Sequence, residues 1–146
     1  RETKWKGRLT IIHRDPLFIV DGAHNPAAAD MLEDSVRKYF KGRNMYFIMG
    51  VFRDKDYSYI IRKLCPYAEQ IVTIETPDNP RALPAQELAE AVRECNPHVQ
   101  AAENIQDAVN KVFAMADRED VILSFGSLSF IGEITTIVKN REEKNL

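Results

Sequence analysis

Four short apolar runs recur along the chain: Leu17 to Val20 (LFIV), Met45 to Met49 (MYFIM), Gln70 to Ile74 (QIVTI) and Asp120 to Ser124 (DVILS). None alternates apolar with polar residues, so each predicts a strand covered on both faces. Each is followed by a polar turn and then by apolar residues at helical spacing. Runs of this kind separated by helices build a layered domain with a mostly parallel sheet. The expected fold is α/β: a Rossmann-like, three-layer domain of about six strands with helices on both faces. Leu9 to His13 and His98 to Ala101 read as shorter strands, the second at an edge, with His13 and His98 as surface residues of strand edges.

The helix signals are local. Asn25 is placed to cap a helix that Pro26 opens, with Leu32, Val36, Tyr39 and Phe40 on one face. A second helix spans Tyr57 to Leu64 and stops at Pro66. Pro84 opens a third, with Leu88, Ala89 and Val92 inward, and Asn104 caps a fourth bearing Ile105, Ala108, Val109, Val112 and Phe113. The last helix is expected through Ile137. Residues 1–14 are expected to form a hinge-proximal strand region, 15–138 the α/β core, and 139–146 a polar tail that frays.

Composition bounds the function. In 146 residues, 20 Lys and Arg stand against 22 Asp and Glu, a net charge of -2. Such a balance gives no bulk positive field for nucleic acid or an anionic membrane, and neither partner is expected. No apolar run approaches a membrane span, and Arg1 to Arg8 have no apolar stretch behind them, so a soluble cytoplasmic protein without an export signal is expected. Cys65 and Cys95 are thirty positions apart, with no Cys-x-x-Cys. They read as ordinary reduced thiols, and no metal site is expected. A first residue that is Arg and not Met is read as the start of a piece of a longer chain.

Ligands of open α/β sheets gather at the carboxyl ends of the strands. Three strand-to-helix turns therefore hold the candidate chemistry: Asp21 to Pro26 (DGAHNP), Gly50 to Asp56 (GVFRDKD) and Ser124 to Ser129 (SFGSLS). In the first, Asp21 can accept from a ribose or face a cation, and His24 can contact a phosphate or carboxylate. Both can equally be a backbone-satisfying turn and a packing residue. In the second, Lys55 suits an anionic oxygen, or is simply part of a solvated turn capped by Asp56. In the third, the Ser127 hydroxyl caps a helix or joins backbone N–H groups in holding an anion. There is no G-x-x-x-x-G-K-[ST], no G-x-G-x-x-G after the first strand and no G-x-S-x-G, which argues against a P-loop, a dinucleotide fingerprint or a nucleophile elbow in this chain.

Gly7-Arg8-Leu9, Pro16 and DGAHNP together resemble the opening of the C-terminal domain of the folylpolyglutamate synthase and dihydrofolate synthase family, within the Mur ligase superfamily. Gly50 with Asp54-Lys55-Asp56, Arg81-Ala82-Leu83-Pro84-Ala85, and Gly126-Ser127-Leu128 with Gly132-Glu133 extend the likeness from Trp5 to about Val138. The resemblance implies one domain of a three-domain, ATP-dependent ligase that adds L-glutamate to folate or dihydropteroate through an acyl phosphate. ATP and Mg²⁺ are then held mainly by a central ATPase domain against which this one closes, and this chain alone is expected to be inactive. It further implies that Arg8, Asp21 and His24 face the nucleotide, with His24 also at the reaction centre. Lys55 and Ser127 would bind the incoming glutamate. Trp5 is read as an anchor of the first strand. Two rivals are a peptidoglycan-precursor ligase of the same superfamily, whose first turn usually lacks the whole DGAHNP block, and a non-catalytic α/β interaction module.

Overall fold

The computed structural model describes residues 3–4, as backbone, and 9–144. Its seven strands are β1 (Thr3–Lys4), β2 (Thr10–His13), β3 (Leu17–Val20), β4 (Met45–Met49), β5 (Ala68–Thr73), β6 (Val99–Ala101) and β7 (Val121–Phe125). They form one sheet in the order β1-β2-β3-β7-β4-β5-β6. The first three strands are joined antiparallel, and all pairs from β3 onward are parallel. The strand beyond the six expected is β1, two residues long. Central strand β7 is buried along its whole length, as its unbroken apolar run requires.

Five helices cover the sheet: α1 (Pro26–Tyr39), α2 (Tyr57–Leu64), α3 (Ala85–Arg93), α4 (Ile105–Met115) and α5 (Ile131–Lys144). One face carries α1, α2 and α3, where Leu32, Val36, Ile60, Leu64, Leu88 and Val92 pack on Phe47, Met49, Leu123 and Phe125. Phe47 and Phe125 meet edge to face, 5.2 Å between centroids. The other face carries α4 and α5, with Val109, Val112, Ile134 and Val138 against Phe18, Ile48, Val72 and Ile122. Side chains alternate across the pleat, so neighbouring residues of β7 feed different cores: Ile122 one, Leu123 the other.

The predicted caps are in place. Asn25 Oδ1 accepts from the Ala28 N–H at 2.9 Å, Asp56 from Tyr59 at 3.3 Å and Asn104 from Asp107 at 2.8 Å. Each satisfies an N–H that the first turn of a helix leaves without a partner. Buried Asn96, just beyond α3, donates to the carbonyls of Cys65 and Ala68, both at 2.9 Å, and its Oδ1 accepts from the His98 N–H. One side chain thus ties the end of α3 to the start of β5.

Two expectations give way. Helix α5 does not stop at Ile137 but runs to Lys144. Tertiary contacts hold the polar residues that were expected to fray: the Arg141 guanidinium lies 4.4 Å over the Phe113 ring and donates to Asn110. Nearby, His13 is not a surface residue of a strand edge. It is half-buried, with Nδ1 2.8 Å from the Pro16 carbonyl and its ring edge-on to Phe113.

Candidate functional site

The parallel strands end together, and the turns that follow them surround a cleft of about 400 Å³. Two glycines draw two of these turns together. Gly126, at φ +115, closes the β7 turn so tightly that a Cβ there would overlap the Gly50 carbonyl oxygen beyond β4. This contact, with the Gly50 N–H donating to Phe125 O at 3.3 Å, brings the two turns side by side.

His24, Lys55 and Ser127, nominated from three separate turns, all line this cleft. His24 is half-buried, and its Nδ1 lies 2.8 Å from the Gly22 carbonyl. A carbonyl can only accept, so Nδ1 carries the hydrogen, and in the neutral ring Nε2 carries a lone pair. Lys55 sits between two acids that are otherwise engaged: Asp54 is gripped by Arg81 and Asp56 caps α2. Neither is committed to the Lys55 ammonium. Ser127 is 2% exposed; its Oγ accepts from the Ser129 N–H at 3.1 Å and lies 2.8 Å from Ser129 Oγ. It therefore caps the short turn Leu128–Phe130 while facing the cleft.

Asp21 is not brought into this cleft. Asp21, 5% exposed, accepts from the Ala23 N–H at 2.7 Å and sits behind His24 as the brace of the first turn. Arg8 and Trp5 lie outside the described residues.

Residues not nominated from the sequence complete the wall. Arg81, in the loop after β5, donates to both carboxylate oxygens of Asp54 at 3.0 and 2.8 Å, and its guanidinium lies 4.6 Å over the Phe52 ring. Its backbone N–H donates to Asn79 Oδ1 at 2.9 Å. Beside it, Arg53 N–H donates to Arg81 O and Leu83 N–H to Val51 O, zipping the β4 and β5 loops into one wall. Arg81 holds the Asp54 carboxyl below its ordinary range, chiefly by hydrogen bonding. Leu128, 63% exposed, closes the last side and lies over Gly22, where an added Cβ would have to push the Leu128 side chain aside. The signal for Arg81 was its position after a parallel strand, the same rule that picked the other three turns.

Two features define the class: a doubly wound sheet whose strand ends converge, and a cleft there lined by a lysine, an arginine, an imidazole and a hydroxyl, donors suited to carboxylate or phosphate oxygens. Residues 7–128 match the family described as Mur ligase, glutamate ligase domain. The chain belongs to that family. It is 34% identical over 113 residues to the dihydrofolate synthase/folylpolyglutamate synthase of Mycobacterium tuberculosis, covering 76% of this chain and 23% of that protein. It is 27% identical over 135 residues to the Bacillus subtilis protein of the same description, covering 92% and 31%. Among solved structures, Mycobacterium tuberculosis folylpolyglutamate synthase complexed with ADP and AMPPCP superposes with a TM-score of 0.75 at 28% identity, over 96% of this chain and 32% of the other. The chain thus spans about a quarter to a third of these relatives.

Proposed function

We propose that this chain serves as the C-terminal domain of an ATP-dependent ligase that joins L-glutamate to a folate, or to dihydropteroate, through an acyl phosphate. The observation that supports this reading best is the convergence of His24, Lys55 and Ser127 from three turns on one cleft. Relatives described as dihydrofolate synthase/folylpolyglutamate synthase along nearly the whole chain supply the substrate class.

In this reading Lys55 pairs with a carboxylate of the incoming glutamate, since its flanking acids are held by Arg81 and by the start of α2. With Ser129 Oγ donating across their contact, the Ser127 hydroxyl keeps its own hydrogen to offer a second oxygen while its lone pairs hold the turn. His24 Nε2 takes a proton from the glutamate ammonium; the freed amine attacks the acyl phosphate carbon, and phosphate leaves with its electron pair. Asp21 and Arg8 face the nucleotide from the hinge side. Among the described residues no three His, Cys, Asp or Glu side chains gather to hold a metal ion. The Mg²⁺ that accompanies ATP is accordingly assigned to a central ATPase domain, and no step here runs through it. No helix among the described residues is long and apolar enough to cross a membrane.

The test is ADP release by the full-length protein that carries this domain. Release that requires a folate or dihydropteroate and L-glutamate together supports the reading. Release with a peptidoglycan precursor in place of the folate, or none with any acceptor, overturns it.

A further inference from the structure

A second cavity lies at the opposite end of the sheet, where β4 begins. It encloses about 380 Å³, within the range of small-molecule sites. Its walls are Val36 and Phe40 from the last turns of α1, Met45 at the start of β4, and Tyr67. Val36, Phe40 and Met45 are each 2% exposed, so the walls belong to the packed core, not to a mobile surface. The Tyr67 hydroxyl is turned away, donating to Glu33 at 2.7 Å, and leaves its ring to the cavity.

The charged residues lining the cavity are all cations: Arg37, Lys41 and Arg43. Arg37 is paired with Asp34 at 3.2 Å. Arg43 is not paired with an acid, because its Nε and Nη2 both donate to the neutral main-chain carbonyl of Glu119, at 3.1 and 2.7 Å. Those two bonds fix the guanidinium without cancelling its charge. Lys41 is exposed and lies on the same turn, next to Gly42, whose left-handed φ of +82 reverses the chain between the two cations. A preformed apolar hollow thus opens between one immobilised and one mobile positive charge, with no carboxylate in its lining.

We propose that this cavity binds a small organic anion with an apolar body, an aromatic or medium-chain aliphatic carboxylate or sulfonate. The body fills the space between Phe40, Met45 and Tyr67, and the anionic end meets Lys41 and Arg43. A cation of the same shape would place its charge against Lys41 and Arg43, and a neutral analogue would forgo both contacts. The site is separate from the catalytic cleft: β4 lies between them, about 15 Å of extended chain at ~3.3 Å per residue.

The experiment is a fluorescence titration of the 146-residue chain with 8-anilinonaphthalene-1-sulfonate, with decanoate and decyltrimethylammonium as competitors. Saturable enhancement, reversed by decanoate but not by the cation, is expected. Lys41→Glu should weaken binding roughly tenfold, while Lys55→Ala at the far cleft should leave it unchanged. Because a filling variant such as Val36→Trp could disturb the fold, the site is also located on the unaltered chain by NMR. Decanoate should shift the Gly42 amide and the Met45 methyl and leave Gly50 and Gly126 in place. Displacement by the cation equal to that by decanoate, shifts confined to the cleft glycines, or no saturable binding would each overturn the proposal.

Discussion

Arg81 holds Asp54 in a fork, with Nη2 within 3.0 Å of both carboxylate oxygens, and in doing so withdraws that carboxylate from its neighbour Lys55. The pair is exposed, and exposed pairs contribute little to stability. Its consequence is placement. Asp54→Ala should leave the melting temperature nearly unchanged but release Arg81 from the cleft wall, raising KM for glutamate roughly tenfold with a smaller effect on kcat. Steady-state kinetics against glutamate at saturating folate, set beside a thermal melt, separates these effects. A KM that does not move would remove Arg81 from substrate placement.

His24 presents Nε2 to the cleft because Gly22 O occupies Nδ1. If that nitrogen takes the proton from the amine, His24→Ala should lower kcat about a hundredfold or more while changing KM for ATP little. Single-turnover measurement of amide formation by the full-length protein checks this. Unaltered turnover would leave the histidine a packing residue of the first turn.

Gly126 and Gly42 both have positive φ, at +115 and +82, but in opposite surroundings. A methyl at Gly126 meets the Gly50 carbonyl, whereas at Gly42 nothing lies within 4 Å. Gly42→Ala should therefore cost only the backbone term, about 1 kcal/mol. Gly126→Ala should cost at least ~2 kcal/mol, because the turns after β4 and β7 must separate as well. Urea denaturation of the two variants gives the contrast directly, and equal losses would show that the glycine contact does not constrain the cleft.

Glu33 joins α1 to α2 and to the turn that leads into β5 by accepting from Tyr67 at 2.7 Å and pairing with Lys63 at 3.0 Å. These partners, Tyr67 first, hold its carboxyl below the ordinary value of 4.5. The native state thus favours the ionised form. Its contribution to stability is complete above 4.5 and is lost as pH falls through the lowered native value. Glu33→Gln should be less stable than the parent at pH 7, with the difference closing well below pH 4.5. A difference that persisted at acid pH would mean that Glu33 acts through packing and not through charge.

The parallel core was readable in the sequence because its strands are runs such as MYFIM and DVILS, which only a sheet covered on both faces can bury. Helix starts were equally plain, since Asn25, Asp56 and Asn104 each carry a cap that needs no tertiary context. What escaped was whatever long-range contact decides. Nothing local told that Arg141 would rest on Phe113 and carry α5 to Lys144, or that His13 would tuck against the same ring. His24, Lys55 and Ser127 were found because they follow strands that end beside one another. Arg81 was passed over because only the turns after β3, β4 and β7 were weighed for chemistry, although β5 lies next to β4 and ends at the same level. The Ser127 hydroxyl was left open between capping and binding, and the cap is now visible; what it offers a ligand depends on a hydrogen that the cap does not use.

The abutting glycines of the turns after β4 and β7 divide the domain into a part that is hard to alter and a part that is easy. The strands leading into them are locked by close backbone approach; beyond them the side chains at 55, 81 and 127 stand on loops, where Arg81 and Ser127 also tie down their own turns. On the proposed function, a change of amino-acid acceptor would be sought first at Lys55, with Gly50 and Gly126 kept.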